Sequence, residues 1–148
     1  MLIEIIRTLI NRDLHKLTAE ISAYRNESII WKVDNSISNS AGNLCLHLVG
    51  NLNTYIGAEI GKTNYLRNRD LEFSLKDIPR SELLKKIGYT ILMVNESLDK
   101  LNEEDLQKEY PLKVFEKEMS TEYFMVHLAT HLSYHLGQIN YHRRLLDA

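Results

Sequence analysis

The sequence predicts an all-α fold, a four-helix bundle, on three observations. Apolar residues recur every three or four positions along four stretches of about 20 residues, the mark of helices with one buried face. The two prolines, Pro79 and Pro111, both fall between those stretches, where they interrupt no helix. Serine, threonine and asparagine gather just ahead of the second and fourth stretches, where such side chains cap free helical N–H groups. Four amphipathic helices of this length make one bundle. A chain of 148 residues fits a single domain, residues 1–148, with a core of its own.

The first helix is expected from about Leu2 to Tyr24, with Ile6, Leu9, Ile10, Leu14, Leu17 and Ile21 on its inner face. Glu4 and Arg7 interrupt the apolar N-terminus and no small-residue cleavage site follows, so this is a helix start and not a secretory signal. The second helix is expected from about Ala41 to Ile60, after the run Asn35-Ser-Ile-Ser-Asn-Ser40, with Leu44, Leu48, Leu52 and Ile56 along one face. The third runs from about Arg80 to Leu101, with Pro79 and Ser81 at its start and Leu83, Leu84, Ile87, Ile91, Val94 and Leu98 as its stripe. The fourth runs from about Thr121 to Leu146, capped by Ser120 or Thr121, with Phe124, Leu128, Leu132, Ile139 and Leu145. Of the two long connections, Lys62–Ile78 reads as a polar loop, and Lys108–Glu116 within the other as extended or strand-like chain. The heptad regularity is too loose for an isolated coiled coil.

Composition narrows the function classes. A formal net charge of -2 gives no electrostatic footprint for nucleic acid. No apolar run approaches the ~18 residues of a membrane span. With Cys45 the sole cysteine, no intrachain disulfide can form, and a reducing cytoplasm is the simpler setting.

The chemistry concentrates in His127-Leu-Ala-Thr-His131-Leu-Ser-Tyr-His135, which holds three of the six histidines. Residues four apart share a helical face one turn apart, and two imidazoles so placed can bind one metal ion. His127 and His135 lie roughly 12 Å apart along the axis, so the ligating pair is either His127 with His131 or His131 with His135. A third ligand must come from another helix, and His47, beside the row Leu44, Leu48, Leu52, is the candidate. The glutamate of the His-Glu-x-x-His protease motif is missing, so no carboxylate base is built in at that position. Gln138 shares the face of His131 and His135 and either hydrogen-bonds a ligand from outside the metal shell or is an ordinary polar helix residue. Gly137, costly in a helix, suggests a backbone or ligand packed close by. His15 reads as solvated and His142 as an end-of-helix surface residue suited to the helix dipole. Cys45 points about 200° round the helix from His47 and is not counted as a ligand.

Trp31, the stretch Asn43-Leu-Cys-Leu-His47-Leu-Val-Gly50-Asn51-Leu, the stretch Asn68-Arg-Asp-Leu-Glu-Phe73, and His131-x-x-x-His135-x-Gly137-Gln138-Ile139 together resemble the DinB-like superfamily, which includes the YfiT-like metal-dependent hydrolases. The resemblance covers nearly the whole chain. It implies an up-down-down-up bundle with a long crossover and one divalent metal, usually zinc or nickel, on His47, His131 and His135. His127 is then left as an outer-shell residue or pocket wall. It further implies a homodimer and, in some relatives, transfer chemistry on small cellular thiols.

The expected function is therefore a divalent-metal-binding bundle acting on a small molecule, as a hydrolase or thiol S-transferase. The alternative is a non-enzymatic metal-binding or stress-response interaction protein on the same scaffold. Proton handling would fall to His127, Tyr134 or a residue of the 62–78 loop. Asn51, one turn after His47, either orients a ligand or packs as an amide between helices. Trp31 either lines the pocket mouth or belongs to the core.

Overall fold

The computed structural model describes residues 1–148 as an all-helical chain with five α-helices. Helix α1 spans Leu2–Ala23, α2 Ala41–Leu52, α3 Arg69–Ser74, α4 Arg80–Leu98 and α5 Thr121–Leu146. Short 3₁₀ turns occupy Glu27–Trp31 and Asp105–Gln107. No helix is long and apolar enough to cross a membrane.

The four longer helices close a ring. Helix α1 packs on α4 and α5, and α2 packs on the same two. Consecutive helices α1 and α2 therefore sit across the core from each other, as do α4 and α5. The spacing of apolar residues explains the packing. Ile10, Leu14, Leu17 and Ile21 of α1, Leu48, Leu52 and Ile56 of the second segment, Leu83, Ile87 and Val94 of α4, and Leu128, Leu132 and Ile139 of α5 are all fully buried. Such burial contributes about 1.5–3 kcal/mol for each large aliphatic side chain. Ser40 and Ser120 cap α2 and α5 by accepting from the N–H groups of Asn43 and Tyr123.

Helix α2 is buried on every side along its full length. Its glycines allow close approach: a Cβ on Gly42 would fall 2.6 Å from the Trp31 ring. Past Leu52 the helix widens into a π-helical turn, Asn53–Ala58. There Thr54 Oγ1 donates to Gly50 O and Asn53 Nδ2 donates to Val49 O. Side-chain bonds of this kind compete with the regular ladder.

Several expectations give way to the structure. The polar connection Lys62–Ile78 contains α3, capped by Asn68, whose side chain accepts from Leu71 N. The stretch 108–116 forms no strand, only one antiparallel bridge between Glu109 and Ser120. His142 is buried, not at the surface. The segment after α1 folds over the end of α5, so that Tyr24 Oη lies 2.7 Å from His142 Nδ1 and the Lys32 carbonyl 2.7 Å from His142 Nε2. Gly137 faces open space, with no protein atom near the position of a Cβ, so no other backbone crowds it. Leu145 points outward. His15 is exposed, as expected, its Nδ1 2.7 Å from Asn11 O.

Candidate metal centre

Helices α2 and α5 are neighbours in the ring, and their contact brings His47 to His131 and His135. The His47 and His131 Nε2 atoms stand 3.2 Å apart. Ring centroids are 5.3 Å apart for His47 and His135 and 4.6 Å for His131 and His135. One ring nitrogen from each of the three lies within 4.8 Å of the others.

The hydrogen bonds around the cluster direct lone pairs inward. His47 Nδ1 lies 3.0 Å from Glu72 Oε1. A carboxylate only accepts, so Nδ1 carries the proton and Nε2 presents its lone pair. His135 Nδ1 lies 2.7 Å from Gln138 Oε1, which leaves Nε2 of that ring free in the same way. His131 Nδ1 is buried with no partner, so no group outside the cluster engages His131.

Glu72 is held in turn. Arg67 donates from Nε to Oε2 at 2.8 Å and from Nη2 to Oε1 at 3.0 Å, a two-point grip on the carboxylate. The carboxylate lies against Gly50, where a Cβ would overlap it. Burial raises the Glu72 pKa, but the bonds from His47 and Arg67 outweigh that and hold it below its ordinary value. Asn43 Nδ2 donates to the carbonyls of Glu72 and Leu75 and so seats α3 on α2.

Burial keeps His131 and His135 neutral. Burial, then the neighbouring histidines and Arg67, push the His131 pKa down to about 4. Burial lowers His135, partly offset by the bond to Gln138. Deprotonated imidazole is the form that binds metal.

The donor set fits a transition metal. Ligands at ~2.0–2.1 Å from a tetrahedral ion stand ~3.3 Å from one another, close to the 3.2 Å between His47 and His131 nitrogens. In the protein alone, that approach of two nitrogens needs a proton between them; a cation satisfies both lone pairs at once.

The remaining candidate residues distribute round this cluster. His127 lies outside it, its ring 6.1 Å from His131 and packed between Phe115 at 4.8 Å and Phe124 at 5.8 Å. Burial lowers its pKa. His127 and Asn51 line a cleft of about 400 Å³ that reaches His47 and His131. Tyr134, exposed, lines a second cleft of about 470 Å³ that reaches His135 and Gln138. Trp31 lines neither cleft: it is buried in the core, over Gly42, because the turn after α1 presses it onto α2. Cys45 is fully buried, its thiol pushed up to about 12 by burial, and takes no part. Glu72 and Arg67 had no assigned role in the sequence. The signal available was an acid one turn past the Asn68 cap, in a connection whose fold the sequence left open.

A family model described as "Protein of unknown function (DUF1572)" matches residues 2–148. No curated protein matches the chain.

Proposed function

The chain belongs to the family described as protein of unknown function, DUF1572, and we propose that it is a DinB-like four-helix bundle in which His47, His131 and His135 hold one divalent transition metal. The ring of α1, α4, α2 and α5 supports the bundle, with α3 an addition on its side. Three neutral imidazoles suit zinc or nickel. The observation that carries the reading is the convergence of three ring nitrogens within 4.8 Å, two of those rings anchored from behind by Glu72 and Gln138. Partners of this kind fix ring orientation and raise ligand basicity.

Three protein ligands leave coordination positions open, the mark of a catalytic site, and clefts adjoin the cluster on both sides. We propose that the protein acts on a small molecule, by hydrolysis or by transfer to or from a small thiol. A bound ion would supply Lewis acidity, lowering the pKa of a water or thiol beside it. His127, neutral and facing the cleft, takes up the released proton. Phe115 and Phe124 pack against the His127 ring and hold it at the cleft. Arg67 and Glu72 fix the His47 ring. Apolar side chains exposed along α1 and α5, Ile5 and Val126 among them, support a homodimer.

The test is elemental analysis of untagged protein purified without chelators or a nickel column. About one zinc or nickel per chain is expected, lost in His47→Ala and His131→Ala. Protein that arrives metal-free and takes up neither added ion refutes the metal reading. Metal without turnover, across thiol-conjugation and amide-hydrolysis assays, refutes the enzyme and leaves the binding protein.

A further inference from the structure

The cleft beside His47 and His131 contains two polar groups that the protein itself leaves unused. Asn51 follows His47 by one turn of α2 and is 8% exposed, and its Oδ1 is buried with no hydrogen-bond partner. Buried amides are normally bonded, and each exception needs a reason. At the rim, Arg69 is exposed and forms no ion pair, in contrast to Arg67, which Glu72 neutralises. The Arg69 guanidinium sits 5.4 Å over the Phe73 ring, and that ring lies 4.9 Å from His47. One aromatic ring therefore separates the free cation from the metal-ligand histidine.

The rest of the lining sets the ligand's character. No aspartate or glutamate lines the cleft, so the Arg69 charge is unopposed there. A cleft with one sign of charge and low-dielectric walls concentrates ions of the other sign. Those walls are aromatic: Phe124 packs edge-on against Tyr55 at 5.1 Å and against Phe115 at 6.2 Å. An exposed arginine alone is ordinary. An unpaired arginine beside an unpartnered buried amide and three aromatic rings, in a cleft without acids, is a recognition surface.

We propose that this cleft binds a small organic anion, its apolar or aromatic body against Tyr55, Phe115 and Phe124, its carboxylate or phosphate on Arg69, and any N–H or O–H donor it carries on Asn51 Oδ1. The bound molecule then lies against His47 and His131. This deepens the metal reading, on which it rests for what happens to the ligand but not for the binding itself.

The test is titration of metal-free and zinc-loaded protein with phenylacetate, phenyl phosphate and the neutral phenylacetamide, followed by calorimetry. At least one anion is expected to bind the metal-free protein, more tightly than phenylacetamide, and the tighter anion identifies the headgroup. Arg69→Gln should weaken that anion roughly fivefold, the upper end for an exposed ion pair, and leave phenylacetamide and zinc unchanged. Asn51→Leu should weaken phenylacetamide, whose N–H can donate to Oδ1, and leave the anions, which have no donor to offer it, little changed. The proposal is overturned if neither anion binds metal-free protein, or if Arg69→Gln binds both as the wild type does. Zinc uptake tells the two readings apart: anion binding without zinc sinks the metal centre alone, and zinc without an Arg69-dependent anion sinks this subsite alone.

Discussion

Replacing Gly50 by alanine tests whether Glu72 holds His47 for the metal. Gly50 lies on the α2 face toward α3, and its missing Cβ is the space into which the Glu72 carboxylate fits. A methyl group there overlaps Oε2, the oxygen that Arg67 Nε holds, so the carboxylate must shift, and that shift is expected to loosen the contact of Oε1 with His47 Nδ1, now 3.0 Å. The lost contact is charge-assisted, worth about 1.5–3 kcal/mol. At about 1.4 kcal/mol per decade that is a ~10–100-fold weaker affinity for zinc, the range expected for a partner outside the metal shell. Competition of zinc against a chromogenic chelator at neutral pH reads the effect directly. Gly137→Ala is the matched control, since a Cβ there meets nothing. It should leave zinc affinity unchanged and stabilise the metal-free protein by up to ~1 kcal/mol through helix propensity. Wild-type affinity in Gly50→Ala, or an equal loss in Gly137→Ala, refutes the argument.

Tyr24→Phe removes the hydroxyl facing His142 Nδ1 and leaves a buried nitrogen unpaired, so urea unfolding should show a loss of ~1–3 kcal/mol. The metal-free protein should also weaken in acid. Burial pushes the His131 pKa down to about 4 in the folded protein, against about 6.5 unfolded. The unfolded chain therefore binds the proton more readily, and the contribution of His131 is complete above pH ~6.5 and lost as the pH falls from there toward ~4. The full shift corresponds to ~3 kcal/mol, cut to ~1–2 kcal/mol because the ring is only partly buried, and melts across pH 4–7 should show it; a flat profile speaks against the burial of that ring. Zinc, bridging α2 and α5, should raise the melting temperature. At free zinc of 100 times Kd the gain is ~2.7 kcal/mol, or ~5–10 °C for a chain of this size, and scanning calorimetry should find none in His47→Ala.

The helices were legible where burial is one-sided. Helix α1 shows a clean stripe because its other face is wet, and Ile6, Ile10, Leu14, Leu17 and Ile21 are all buried. Helix α2 was harder, because it is buried all round: its leucine row is real, but Asn43, Cys45 and Gly50 are just as enclosed. Helix α3 has six residues, too few for any periodicity to register. What holds it is its Asn68 cap and tertiary bonds from Asn43, Arg67 and His47. His142 was misread for a related reason. Helix-dipole reasoning uses only position along the helix, whereas the burial of His142 comes from Tyr24 and Lys32, more than a hundred positions away in sequence.

The site follows the same division between local and tertiary information. Spacing shows that His127, His131 and His135 share a face, but not which two meet His47. The register of α2 against α5 makes that choice, leaving His127 among Phe115 and Phe124. The motif on α2 then acquires a physical meaning that its residue types alone did not convey. Asn43, His47 and Gly50 stand at i, i+4 and i+7, one face of the helix, and all three meet α3. Asn43 grips the Glu72 and Leu75 carbonyls, His47 engages the Glu72 carboxylate, and Gly50 leaves the room that carboxylate needs. One face of one helix thus positions both the candidate ligand and the group that orients it. Each of the three must keep its size as well as its chemistry, so even a single added methyl at Gly50 should reach the metal through Glu72 without touching any of the three histidines.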